Sequence, residues 1–172
     1  MACSGCIKIR RGLINRTPAR IAAPLARTFL PTSATGADVV RVARTWIGVP
    51  FRHQGRDRKG VDCLGVPIVV LADLGIVVPE FEVLTDYPRI AATGDFERRF
   101  LHVCTPLPKP EPGCIIMLKW ALSLMHVAIY TNTDTLIHVL ERHKAVIEHG
   151  FRGMWRSRYA QGAYTLPGVR CG

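Results

Sequence analysis

The sequence predicts an α+β domain in which helices come first and a meandering antiparallel sheet follows. Before residue 80 the apolar residues recur at helical spacing or run on continuously; after Pro112 they form short runs separated by polar turns. Size agrees: 172 residues with 48% hydrophobic content suffice for one real core and exclude a chain disordered throughout.

Ahead of the domain, residues 1–36 read as an extended basic arm. They carry Lys8, Arg10, Arg11, Arg16, Arg20 and Arg27 and no acidic residue, +6 of the formal +10, which leaves +4 for residues 37–172. Pro18, Pro24 and Pro31 interrupt any period, so the arm either stays flexible or orders on a partner. A transit peptide shares this composition and is the minor alternative. Cys3 and Cys6 have metal-ligand spacing, with Cys171 as a third candidate, for a metal or an iron–sulfur cluster; one CxxC more often marks two reduced surface thiols. The basic balance, with a pI near 9.8, suits an anionic partner: nucleic acid, membrane or acidic cell wall. No run reaches transmembrane length, and no apolar segment follows Arg10-Arg11, so folding in a reducing cytosol without disulfides is expected.

Thr35 or Asp38 caps the first predicted helix, which sets Val39, Val42, Ala43, Trp46 and Ile47 on one face and ends at Gly48 and Pro50. Residues 50–61 form a charged loop, a candidate cleft wall, that delivers the chain to Cys63. The apolar run Val66 to Leu74, closed by Gly75, is a buried helix with Cys63 in its first turn and an irregularity expected at Pro67. Pro79 to Pro112 reads as loops with one short helix, Asp95 to Leu101. Strands are expected at Cys114–Leu118, His126–Thr131, Thr135–Leu140, Ala145–Glu148 and Ala163–Leu166.

The candidate chemistry sits on Cys63, His126 and His138. A helix start offers unpaired N–H groups and the positive end of a dipole, which lower a thiol's pKa and can receive an oxyanion. By itself such a cysteine is more often core packing, and a lone strand histidine is more often structural. Alternation puts His126, Ala128 and Tyr130 on one sheet face, and an odd connecting loop puts His138 on it too. If the Cys63 helix packs on that face, the three form a nucleophile, a base and a group that orients the base. His53, His102, His143 and His149 lie in polar contexts and read as solvated; Cys104 and Cys114 read as core thiols.

The motifs Trp46-Ile47-Gly48-Val49-Pro50-Phe51, Gly60-Val61-Asp62-Cys63-Leu64-Gly65, His126-Val127-Ala128-Ile129-Tyr130 and Leu136-Ile137-His138 resemble the NlpC family of papain-like cysteine peptidases. The likeness runs from about Asp38 to Leu166 and is greatest to the branch found in phage and prophage tails. It implies a papain-like NlpC fold over residues 37–172 and hydrolysis of peptidoglycan stem peptides, typically between D-γ-glutamate and the diamino acid. Cys63 attacks, His126 is base and then acid, and His138 orients His126; Phe51, Asp62 and Leu64 line the substrate site. Phe51 stands where the family usually has Tyr, Leu64 where Ser is common, and Cys114 where Asp is common. The resemblance further implies manufacture in a bacterial cytoplasm, residence at a virion tail tip with residues 1–36 engaging tail-tip or hub proteins, action at the host wall and passing contact with DNA. Two other readings stand beside the peptidase: a structural tail-tip subunit that retains the fold for assembly, and a hydrolase with zinc on Cys63, His126 and His138.

Overall fold

A computed structural model describes residues 34–87, 95–120 and 124–171. The chain enters with a short strand, β1 (Ala34–Thr35), and turns into helix α1 (Gly36–Arg44). Both cap candidates act there: the Thr35 hydroxyl accepts the Asp38 N–H at 3.2 Å, and the Asp38 carboxylate accepts the Thr35 N–H at 3.0 Å. Val39, Val42, Ala43 and Trp46 are buried as the spacing predicts, whereas Ile47 is 45% exposed because the helix ends at Arg44 and the turn after it rotates Ile47 outward.

A two-stranded hairpin, β2 (Arg56–Asp57) with β3 (Gly60–Val61), leads into helix α2 (Gly65–Asp73). Its mean composition is apolar all round, and it is buried accordingly. Trp46 binds α1 to α2: its indole N–H donates to Asp73 at 2.8 Å, and the Arg58 guanidinium lies 3.7 Å over its ring. Helix α3 (Pro79–Glu82) falls in the stretch expected to be loop, with Pro79 in its first turn where a missing N–H is harmless. Helix α4 (Asp95–Leu101) occupies the expected residues, and Phe100 of α4 stacks on Phe81 of α3 at 4.8 Å.

Six strands build the main sheet: β4 (Thr105–Leu107), β5 (Ile115–Trp120), β6 (Leu124–Tyr130), β7 (Thr135–Val139), β8 (Val146–Gly150) and β9 (Tyr159–Thr165). Their order is β4-β9-β5-β6-β7-β8 and every pairing is antiparallel, so β5 to β8 form the expected meander while β9 returns to the other side of β5. A 3-10 turn, Glu141–His143, joins β7 to β8; helix α5 (Met154–Ser157) precedes β9. Strand β10 (Val169–Arg170) closes the chain on itself by pairing with β1 in parallel. Ala34 to Gly36, which the sequence assigns to the arm, are therefore built into the domain; the rest of the arm, with Cys3 and Cys6, lies outside the described residues.

Alternation divides the sheet into two apolar faces. Ile115, Met117, Val127, Ile129, Ile137 and Val139 face a core shared with α1 and α2. Ile116, Leu118, Ala128, Leu136 and Ala163 face a smaller cluster around Phe151, with Trp155 and Tyr159 packed against it. Gly36 and Gly113 meet back to back between α1 and the turn before β5. A Cβ on Gly36 would stand 1.9 Å from the Pro112 carbonyl oxygen, a backbone atom that cannot step aside alone. Gly36→Ala is therefore expected to lower unfolding free energy by about 1–3 kcal/mol, read as a shifted urea midpoint; an unchanged midpoint contradicts the close packing.

Candidate active site

The regular part of α2 starts at Gly65, yet helical bonding begins earlier. Val66 N–H donates to the Asp62 carbonyl at 3.0 Å, and Gly65 N–H donates to the Asp62 carboxylate at 2.8 Å. Asp62 thus does the work of an N-cap, and Cys63 lies in the turn it closes. Pro67 falls in the first turn, where its missing N–H breaks no bond within the regular helix, so the irregularity expected there is absorbed by the helix start. Gly65 is required for closeness: a Cβ there would lie 2.4 Å from the Gly55 carbonyl oxygen.

Asp62 holds more than the helix. Its carboxylate also accepts the Gln54 N–H at 2.6 Å, the Tyr87 hydroxyl at 2.6 Å and an Arg56 guanidinium N–H at 3.1 Å. Arg56 donates to the Tyr87 oxygen as well, at 2.8 Å. Burial, then the Asp62 charge, pushes the Tyr87 phenol up, so it stays a donor. His53 belongs to this cluster: it is half-buried, with Nε2 3.1 Å from the Tyr87 carbonyl and Nδ1 3.8 Å from Asp62. Of the residues expected to line a substrate site, Asp62 is buried with both oxygens engaged by these donors, Leu64 is buried, and Phe51 is half-buried and bridged to Val61.

Cys63 is half-buried, and its sulfur lies within hydrogen-bonding reach of the backbone of Val127 and of Leu64. Burial first and the Asp62 charge second raise the thiol to about 12, and these two backbone contacts only moderate the rise. The lowering expected from a helix start is overturned, because burial penalises the thiolate and the Asp62 carboxylate beside the sulfur adds to that.

Helix α2 packs on the Val127 and Ile129 face, not the His126 face that alternation alone suggested. The sulfur reaches the sheet at the backbone of Val127, one residue from His126. Strands β6 and β7 pair at Ile129↔Ile137 and Tyr130↔Leu136. Continued along the strands, that register sets Leu140 opposite His126, so the two histidines share a face but are offset diagonally by two residues. Their rings meet nonetheless: His126 Nε2 lies 2.6 Å from His138 Nδ1. Both are buried, at 4% and 0% exposure, and burial pushes each imidazole well below its ordinary value.

The chain of rings continues. His138 Nε2 is 2.6 Å from His149 Nε2, and His149 Nδ1 is 2.9 Å from the Gly150 carbonyl oxygen. Trp155 covers this line, its ring 4.7 Å from that of His138 and 4.6 Å from that of His149. His143 lies 6.1 Å from His138, is half-buried, and receives Arg142 Nε–H on Nε2 at 3.0 Å. His53, His143 and His149, expected to be solvated, are half-buried and hydrogen-bonded; His102 is exposed as expected. Strand parity could have found His149, since β8 runs through Gly150 and places it opposite Leu136, on the face of His138. No spacing signal pointed to Trp155 or Tyr87.

Among the described residues no group of three His, Cys, Asp or Glu is arranged to hold a metal ion. The 2.6 Å separation of His126 and His138 is that of a hydrogen bond, shorter than the roughly 3.3 Å between two nitrogens on one tetrahedral zinc. Cys171 is half-buried beside Cys114 and packs on the core. No helix among the described residues is long and apolar enough to cross a membrane.

The model of the NlpC/P60 family matches residues 48–163, which hold Cys63, His126, His138 and His149. The chain belongs to the NlpC/P60 family. It is 28% identical over 99 residues to the probable endopeptidase NlpC of Escherichia coli (strain K12), which covers 55% of this chain and 55% of that protein. Among solved structures it is similar to an NlpC/P60 family protein from Bacillus cereus ATCC 10987, with a TM-score of 0.57, 19% identity, and coverage of 76% of this chain and 40% of the other. NlpC1 from Trichomonas vaginalis also has a TM-score of 0.57, with 15% identity and coverage of 76% and 43%. The chain therefore spans about half the length of the curated relative it matches. The structural likenesses establish the α+β fold.

Two imidazoles held neutral by burial make stability depend on pH. Below the ordinary imidazole pKa of about 6.5, the unfolded chain takes up protons that the folded chain refuses, so stability present above that value is lost as pH falls. Melting temperature is expected to be level above about pH 7 and to drop between about 6.5 and 5, approaching about 1.4 kcal/mol per pH unit for each histidine. His138→Asn should flatten that slope, and a melting temperature independent of pH across this range contradicts the neutral, buried assignment.

Proposed function

We propose that this protein is a cysteine endopeptidase acting on peptidoglycan stem peptides. The observation that carries the reading is the meeting of the Cys63 sulfur with the strand backbone next to His126, whose ring is tied to His138 at 2.6 Å. In this reading Cys63 is the nucleophile, His126 the general base and then acid, and His138 the group that orients it.

The raised thiol and lowered imidazole favour a neutral resting pair over a preformed thiolate and imidazolium. As the sulfur attacks the amide carbonyl carbon, its proton passes to His126. The carbonyl oxygen, now anionic, is set at the Cys63 N–H, because the Gly65 and Val66 N–H groups already donate to Asp62 and Pro67 has none. His126 then gives the proton to the departing amine and leaves an acyl-thioester. Water, deprotonated by the same imidazole, hydrolyses the thioester and returns the thiol. The proton lost by sulfur in the first half is the one gained by the amine, so the cycle balances without a metal or cofactor.

The family's motifs support a finer assignment, the bond between D-γ-glutamate and the diamino acid, with Phe51, Asp62 and Leu64 shaping the approach to the thiol. Similarity to the phage and prophage tail branch, together with the acid-free basic segment 1–36, supports residence at a tail tip. There the segment engages neighbouring tail proteins, and the enzyme opens the wall locally for DNA entry.

Purified protein incubated with peptidoglycan is expected to release fragments whose masses and new amino termini identify the diamino acid at the cut. Cys63→Ala should abolish release, and His126→Ala should reduce it by about 100- to 10,000-fold, both with unchanged circular dichroism. Wild type and Cys63→Ala equally inert on peptidoglycan would overturn the peptidase reading. Normal particle assembly by a chain lacking residues 1–33 would overturn the tail role of that segment.

A further inference from the structure

We infer that His149 is a positioning residue that fixes, through His138, which nitrogen of His126 can take the thiol proton, an assignment that rests on the peptidase reading above. The reference point is a carbonyl. Gly150 O has no proton to give, so His149 Nδ1, at 2.9 Å, must carry one. A neutral His149 then has its lone pair on Nε2, and His138 Nε2, at 2.6 Å, must donate to it. A neutral His138 has its lone pair on Nδ1, and His126 Nε2, at 2.6 Å, must donate in turn. A neutral His126 that donates through Nε2 carries its lone pair on Nδ1. That nitrogen accepts the proton from Cys63. The imidazolium so formed keeps its Nε2–H bond to His138, and Nδ1 later surrenders its proton to the leaving amine.

The direction of the bonds is what His149 supplies. Protonation of its Nε2 reverses the polarity: His149 then donates to His138 Nε2, His138 Nδ1–H donates to His126 Nε2, and His126 holds its proton on Nδ1, where it cannot accept another. Trp155 packs against both rings, edge-on to His138 at 4.7 Å and tilted to His149 at 4.6 Å, which holds them in line. The charged and titratable groups facing His149 are His138 from β7, with His126 behind it, and Arg142 and His143 from the 3-10 turn.

Three substitutions at His149 separate this role from mere packing. Glutamine offers a carbonyl acceptor that cannot be protonated, alanine offers nothing, and lysine offers only donors. On peptidoglycan, His149→Ala is expected to lower kcat by about 10- to 100-fold, part of the roughly 100- to 10,000-fold that a general base contributes, with KM changed less than about 2-fold. His149→Gln should restore kcat to within about 3-fold of wild type, because its side-chain oxygen still accepts from His138. His149→Lys should fall below His149→Ala. Glutamine and lysine variants of equal activity overturn the inference. Long-range proton–nitrogen NMR of the unmodified protein decides it without any variant: protons on His149 Nδ1, His138 Nε2 and His126 Nε2 support it, and a proton on His126 Nδ1 at neutral pH overturns it. A wild type inert on peptidoglycan overturns the peptidase reading instead and leaves the NMR result to judge the ring assignments.

Discussion

Holding imidazoles out of water while keeping them neutral is the constraint around which this domain is built. His126 and His138 lie 2.6 Å apart at 4% and 0% exposure, and burial is the first cause of the drop in both their pKa values. A buried imidazole without a partner leaves a polar nitrogen unsatisfied, and a charged one pays for desolvation. The fold answers by lining the rings up, His126 Nε2 to His138, His138 Nε2 to His149 and His149 Nδ1 to the Gly150 carbonyl. Charge then enters only when a proton arrives from outside the line, which suits a base that must be empty before it works.

The second organising group is the Asp62 carboxylate. Its donors come from the loop at Gln54 and Arg56, from the helix start at Gly65 and from Tyr87, so one buried side chain fixes three segments that meet around the thiol. A fully hydrogen-bonded buried carboxylate stiffens what it touches. Its negative charge also bears on Cys63, where it adds to the rise in the thiol that burial begins. Structure and reactivity are coupled through that residue: the group that holds the sulfur in place keeps it protonated at rest.

Much of this was legible in the sequence because local chemistry and the tertiary fold agree. The Thr35 and Asp38 cap, the Asp95–Leu101 helix and the strand meander followed from capping residues and changes of period, and the register keeps His126 and His138 on one face. What was missed depends on things a period does not encode. Ile47 was assigned to the core on helical spacing, but the helix had already ended. The face that α2 covers is a choice between two apolar faces, and alternation marks both without ranking them. His149 was read as solvated because the strand was ended at Glu148; two more residues of ladder bring it beside His138. The thiol's pKa was read from the helix dipole alone, without the neighbouring acid.

The segment 48–51 runs beside the turn into β8: Gly48 N–H donates to the Val146 carbonyl, Val146 N–H to that of Val49, and Phe51 N–H to that of Lys144. At the opposite rim β4 carries Pro106, which has no N–H to offer a newcomer. The long sheet is thus blunted along both outer margins. At Val146 and at Pro106 a neighbouring polypeptide finds no open ladder position, which shortens the edge on which a strand of its own could pair.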